Sequence, residues 1–89
     1  MIVQYTKSFD RNYARLPAFL QEAAQETIDL FLDQYECRNF PKGLRLHKVG
    51  PFLSLSLTMN YRIFTLPIAG GVKFVFIGTH KDADTYLKK

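Results

Sequence analysis

From Cys37 to Lys81 the chain has neither aspartate nor glutamate, although eight acidic residues occur among its 89. The same run carries Arg38, Lys42, Arg45, Lys48, Arg62, Lys73 and Lys81, a formal charge of +7. Residues 1–36 set Lys7, Arg11 and Arg15 against Asp10, Glu22, Glu26, Asp29, Asp33 and Glu36, for −3, and residues 82–89 cancel. The net charge of +4 therefore hides a division into an acidic half and a basic half. A basic half without carboxylates offers little material for paired-carboxylate catalysis or carboxylate-bound metals. Cations without local counter-charges instead favour a polyanionic partner.

Other scarcities narrow the class further. The single cysteine, Cys37, excludes an internal disulfide, and no Cys/His cluster stands at zinc-ligand spacing, so a reducing cytoplasm fits. Nowhere do 18 apolar residues run together, and Met1–Tyr5 reads as a strand and not as a cationic leader, so neither a membrane span nor an export signal is expected. Gly70-Gly71 does not precede a helix and matches no phosphate-loop fingerprint. Tryptophan is missing, yet eight Phe and five Tyr within a chain that is 47% apolar can supply a core. At this length residues 1–89 form one domain.

The order of elements predicts an α+β fold. Ile2–Tyr5 suits a first strand, and Ser8 can cap a helix with apolar positions Phe9, Tyr13 and Leu16. Pro17 ends that helix and suits the first turn of the next, which is expected to reach Tyr35 with Leu20, Ala24, Ile28 (or Thr27), Phe31 and Tyr35 as its buried stripe. The five acids from Glu22 to Glu36 recur on another, solvated face. Arg38–Gly43 reads as a turn, and Leu44–His47 as a short strand interrupted by Gly50-Pro51. In Leu53–Ile63 the odd positions are apolar, including Met59 and Tyr61, which places them on the core side and Arg62 on the other. A hairpin turning near Thr58–Asn60 fits better than one strand through Leu66. Pro67–Gly71 reads as a turn into Val72–Ile77, a near-continuous apolar run suited to a central strand. Beyond Gly78-Thr79-His80 the chain leaves the sheet, and Asp82 and Asp84 are expected to solvate a tail or pair with Lys81. The prediction is an N-terminal strand, a two-helix hairpin, then three or more antiparallel strands with the helices on one face.

The groups left for chemistry are Arg45, His47, Lys48, Arg62, His80 and Lys81, with Tyr61 and Tyr86 nearby in sequence. Such a set suits cleavage of RNA. The ribose 2′-hydroxyl is an internal nucleophile, so an enzyme needs a base, cations for the crowded phosphorane and an acid for the departing 5′-oxygen, without a metal. Arg62 is the cation at the centre of the acid-free region, and His80 and His47 can carry protons near neutral pH. Tyr86, beyond the sheet, can stack on a base, whereas Tyr61 alternates onto the core side.

The chain resembles the RelE/ParE superfamily of toxin-antitoxin modules, and most closely its RelE, YoeB and YafQ-like mRNA endonucleases. The resemblance rests on the first strand, the helical hairpin, Gly43-Leu44-Arg45-Leu46-His47-Lys48, Asn60-Tyr61-Arg62-Ile63-Phe64 and Gly78-Thr79-His80-Lys81-Asp82. It implies a RelE-like fold and a small basic toxin that enters the ribosomal A site, cuts mRNA there and is restrained by an antitoxin encoded by a neighbouring gene. By that likeness Arg62 stabilises the scissile phosphate, His80 is the C-terminal acid or base, and Lys48 joins them in catalysis. Arg45, His47, Lys81 and Tyr86 become RNA contacts. No cofactor and no membrane enter this expectation. The chain departs from the family in lacking a glutamate base like that of YoeB and a terminal His-Tyr pair, which leaves the general base open. Two alternatives share the fold: a ParE-like inhibitor of DNA gyrase, and a non-catalytic relative that binds nucleic acid or a partner.

Overall fold

Thr6 marks the passage from strand to helix. Its backbone is extended, and its hydroxyl accepts from the Phe9 N–H at 3.0 Å, satisfying one of the free donors of the first helical turn. The cap is therefore Thr6, and Ser8, the expected one, is the second residue of the helix, within its first turn. The computed structural model describes residues 1–37 and 46–88, the side chains of 36 and 37 excepted; the turn expected at Arg38–Gly43, and Leu44 and Arg45 with it, lie outside the described residues. The order is β1 (Ile2–Tyr5), α1 (Lys7–Ala14), α2 (Ala18–Cys37), β2 (Leu46–Val49), β3 (Phe52–Ser56), β4 (Tyr61–Ile68), β5 (Gly71–Thr79) and α3 (His80–Leu87).

The five strands form one sheet in the order β1-β5-β4-β3-β2. The pairs β2–β3, β3–β4 and β4–β5 are antiparallel as expected, but β1 lies parallel to β5, so the sheet is mixed. A parallel neighbour needs a long crossover, which the two helices supply before the chain returns through its hairpins. The hairpins are tight. Gly50-Pro51, expected to break the strand, joins β2 to β3 as a two-residue loop, with Gly50 at φ 58° in the region that a first central glycine tolerates. Ala69-Gly70 joins β4 to β5, with Ile68 opposite Gly71. Pro67, expected in a turn, lies inside β4 opposite Val72, next to the pair that closes the loop. Its missing N–H then faces away from β5, beyond the Leu53–Thr65 pair where β3 ends its pairing with β4.

The helix-side core contains Phe9, Ala24, Ile28 and Phe31 against Leu55, Ile63, Val72, Phe74 and Ile77, so the predicted α2 stripe is the buried one. The phase of β5 changes once. Phe64 pairs with Phe76 and Thr65 with Phe74, leaving Val75 as an extra residue, a β-bulge. Val72 and Phe74 before the bulge and Ile77 after it thereby share the helix side, while Val75 and Phe76 join Phe64 and Ala83 in a second core on the opposite side. The expected solvated tail is in fact α3, which closes that second core: the Tyr86 ring lies 5.1 Å from Phe76, 5.9 Å from Phe52 and 6.0 Å from Phe64. Met59, expected on the core side, is 88% exposed at the tip of the β3–β4 hairpin, because the turn ends the alternation before reaching it.

Gly71, the first residue of β5, pairs with Ile2 of β1. A Cβ there would run into the carbonyl oxygen of Ile2. Replacing Gly71 by Ala should destabilise the fold by ~1–3 kcal/mol, as overpacking does. The check is a denaturant titration, in which the same substitution at Gly50, whose Cβ would meet nothing within 4 Å, isolates the strain of positive φ from the steric clash.

Candidate active site

Arg62 is the second residue of β4 and is flanked on both sides within the sheet, by Ser56 on β3 and Gly78 on β5. Its Cβ points to the side opposite α1 and α2, as alternation with buried Ile63 requires. The guanidinium donates from Nη1 to Ser56 Oγ at 2.7 Å, a short bond that fixes its direction. No carboxylate pairs with Arg62 among the described residues, so its charge is uncompensated there. On the other flank Gly78 has no side chain. A Cβ there would lie 2.8 Å from the Phe76 ring, so it is the edge of that ring that covers the backbone beside the arginine.

His80 opens α3 two residues beyond Gly78. Thr79 caps the helix, its hydroxyl accepting from the Asp82 N–H at 3.1 Å, and the His80 N–H donates to the Asn60 carbonyl at 2.7 Å. The hairpin tip and the start of α3 are thus tied together. His80 and Lys81, both exposed, line a shallow groove of about 650 Å³ with Asn60, Tyr61, Thr79 and Asp84. Arg62 does not line the groove but adjoins it, since its sequence neighbour Tyr61 pairs with Thr79. From the residue opposite Arg62 to His80 is two strand steps, roughly 7 Å along the chain.

The other predicted residues are distributed differently. His47 is exposed on β2 and pairs with Ser54, on the same side of the sheet as Arg62 but two strands away, roughly 10–12 Å by strand spacing. Lys48 alternates with His47 and shares its side with Leu46, which packs in the helix-side core, so the sheet separates its Cβ from Arg62. Tyr86 sits about 9 Å along α3 from His80 and spends its ring on three phenylalanines of the second core. Arg45 lies outside the described residues.

Three residues escaped sequence reasoning. Tyr61, read as core packing, is half-buried and lines the groove beside His80. Asn60 holds His80 through its carbonyl, which no side-chain pattern announces. Ser56, which orients Arg62, was within reach: a hairpin turning about Met59 puts residues 56 and 62 at equal distances from the tip and therefore opposite each other. The arrangement can bind and polarise an anion at Arg62, on the strand next to the one that leads into α3 and His80.

No protein-family model and no curated protein matches the sequence. Among solved structures, the chain is similar to RelE in a RelB-RelE antitoxin-toxin complex from Methanococcus jannaschii, with 14% identity, 93% of this chain and 96% of that chain covered, and a TM-score of 0.71. It is similar to a chain of the E. coli DinJ-YafQ complex, with 11% identity, 91% and 94% covered, and a TM-score of 0.72. A copper-bound L66S mutant toxin from Helicobacter pylori gives 13% identity, 90% and 94% covered, and a TM-score of 0.72. With both chains covered nearly end to end, the strand, helical hairpin, mixed sheet and terminal helix described above are the RelE-like toxin fold.

Proposed function

We propose that this chain is the toxin of a toxin-antitoxin pair: an endoribonuclease, metal-independent in its chemistry, that cuts mRNA in the ribosomal A site through the ribose 2′-hydroxyl and so inhibits translation in the cytoplasm. The observation that carries the reading is the Arg62 guanidinium, aimed by Ser56 on an acid-free stretch of sheet, one strand from the start of α3 and His80. In the reaction the 2′-oxygen attacks phosphorus, the bond to the 5′-oxygen breaks, and a 2′,3′-cyclic phosphate and a 5′-hydroxyl result. Arg62 stabilises the phosphorane charge. His80 takes the 2′ proton or supplies the 5′ one. Lys81, beside His80 in the groove, adds positive charge for the flanking phosphates. Lys48 acts only by reaching around the β2 edge, and His47 contacts RNA farther along the same side. Restraint falls to an antitoxin encoded by a neighbouring gene, a reading supported by the similar RelE and YafQ chains having been solved with RelB and DinJ.

Induced expression followed by primer extension on cellular mRNA tests the proposal. Codon-positioned breaks are the expected result. DNA cleavage complexes would replace this reading with gyrase poisoning, and the absence of both would leave a binding protein.

Replacing His80 by Gln should lower the single-turnover cleavage rate on programmed ribosomes far more than affinity, because glutamine keeps a hydrogen bond but cannot transfer a proton near neutral pH. General acid–base groups contribute ~10²–10⁴-fold. A fall in affinity with an unchanged rate at saturation would make His80 a contact only.

A further inference from the structure

The sheet edge farthest from β2 is β1, and nothing among the described residues pairs with its outer side. The Ile2 N–H donates to the Gly70 carbonyl at 2.9 Å and the Thr6 N–H to the Phe74 carbonyl at 3.1 Å. In a parallel ladder the backbone groups of alternate residues turn inward, so Ile2, Gln4 and Thr6 face β5 while Val3 and Tyr5 present N–H and C=O outward. Proteins usually blunt such an edge with charge or proline. From Ile2 to Tyr5 this one has neither, and its flanks are apolar: Met1 and Ile2 are each 51% exposed and Tyr5 43%.

Beside this edge, between α1 and α2, runs a groove of about 260 Å³ lined by Tyr5, Phe9, Asp10, Tyr13, Gln25 and Ile28. Its aromatic wall is continuous, with Tyr5 5.3 Å from Phe9 and Phe9 6.3 Å from Tyr13. Its rim is acidic. Asp10 stands on α1, and Asp29 on α2 accepts from Gln25 Nε2 at 2.9 Å. Neither has a cationic partner among the described residues. Burial, and then Asp29 and Asp10 in that order, push the Tyr5 hydroxyl above its ordinary pKa, which places both carboxylates within electrostatic reach of one phenol.

We propose that the β1 edge and this groove are a docking surface for an extended, basic polypeptide segment, which adds a strand along Val3 and Tyr5 and lays an arginine or lysine against the tyrosines between Asp10 and Asp29. Strand addition supplies main-chain hydrogen bonds while alternate side chains give specificity, here apolar ones over Ile2 and a cation in the groove. A guanidinium over an aromatic face gains from the ring quadrupole, and the two carboxylates compound that attraction. The same carboxylates reject an acidic segment. This partner is opposite in sign to any that covers Arg62, and the inference stands apart from the nuclease reading.

Fluorescence anisotropy with the whole chain and a labelled synthetic peptide alternating valine with arginine tests the surface, beside a valine–glutamate counterpart. The arginine peptide should bind, and the double variant Asp10→Asn, Asp29→Asn should weaken it about tenfold, or ~1.4 kcal/mol. Both carboxylates are exposed and lack ion-pair partners among the described residues, so circular dichroism of the variant should be unchanged. Hydrogen exchange at the Val3 and Tyr5 amides should slow when the peptide binds. Equal binding of the glutamate peptide, indifference to the double variant, or protection confined to other strands would each overturn the proposal. Concentration-dependent self-association that protects the same amides without peptide would assign the surface to a second copy and overturn it as well.

Discussion

Replacing Arg62 by Ala should reduce mRNA cleavage by ~10²–10³-fold and relieve toxicity while leaving the fold in place. The rate loss follows from removing a fixed donor at the site of developing negative charge, which costs ~2.7–4 kcal/mol in comparable oxyanion sites. The fold should persist because the side chain is half-exposed, lies outside both cores and donates to Ser56, a polar side chain on the neighbouring strand. Ser56→Ala leaves the charge but frees the guanidinium to wander, so its effect should be intermediate and fall on the cleavage rate more than on binding. Single-turnover kinetics with circular dichroism on both variants decide the matter. An Arg62→Ala variant that cleaves normally would remove the central element of the proposed mechanism.

Replacing Tyr86 by Ala should release α3 from the sheet without unfolding the rest. An isolated eight-residue helix is marginal in water, so α3 depends on what it packs against, and that is mainly Ala83 and the Tyr86 ring among Phe52, Phe64 and Phe76. Truncating a large aromatic in a core costs ~3–5 kcal/mol, and less at this half-buried site. The loss falls on a short terminal element and not on the helix-side core. Amide exchange across residues 80–87 should rise by orders of magnitude while β3–β5 stay protected. Cleavage should fall in parallel, since His80 is held only where α3 begins. Unchanged exchange in α3 would mean that its attachment does not rest on Tyr86.

These two residues also mark how far the sequence could be read. The side of the sheet that Arg62 occupies follows from the alternation Leu53 to Ile63, because a period of two allows one assignment once the apolar set is buried. The position of Ser56 opposite it follows from where the hairpin turns. The α2 stripe was equally visible, since helical spacing and burial agree from Leu20 to Phe31, and Tyr35, half-buried, packs against the same core. The charge division is pure composition and needed no fold to be seen.

Tertiary structure alone decided the rest. Residues 80–87 have the polar look of a tail, and their helix becomes worthwhile only because the opposite side of the sheet exposes Phe52, Phe64 and Phe76, side chains that come together across three strands. The bulge at Val75 reverses the phase of β5, which a run of consecutive apolar residues conceals because every position fits either side. The parallel pairing of β1 with β5 depends on Gly71 admitting the Ile2 carbonyl, a contact between residues nearly seventy positions apart. The separation of Lys48 from Arg62 has the same origin. Local patterns tell which side of its own strand a residue takes, but only strand order and register tell which residues of different strands share that side.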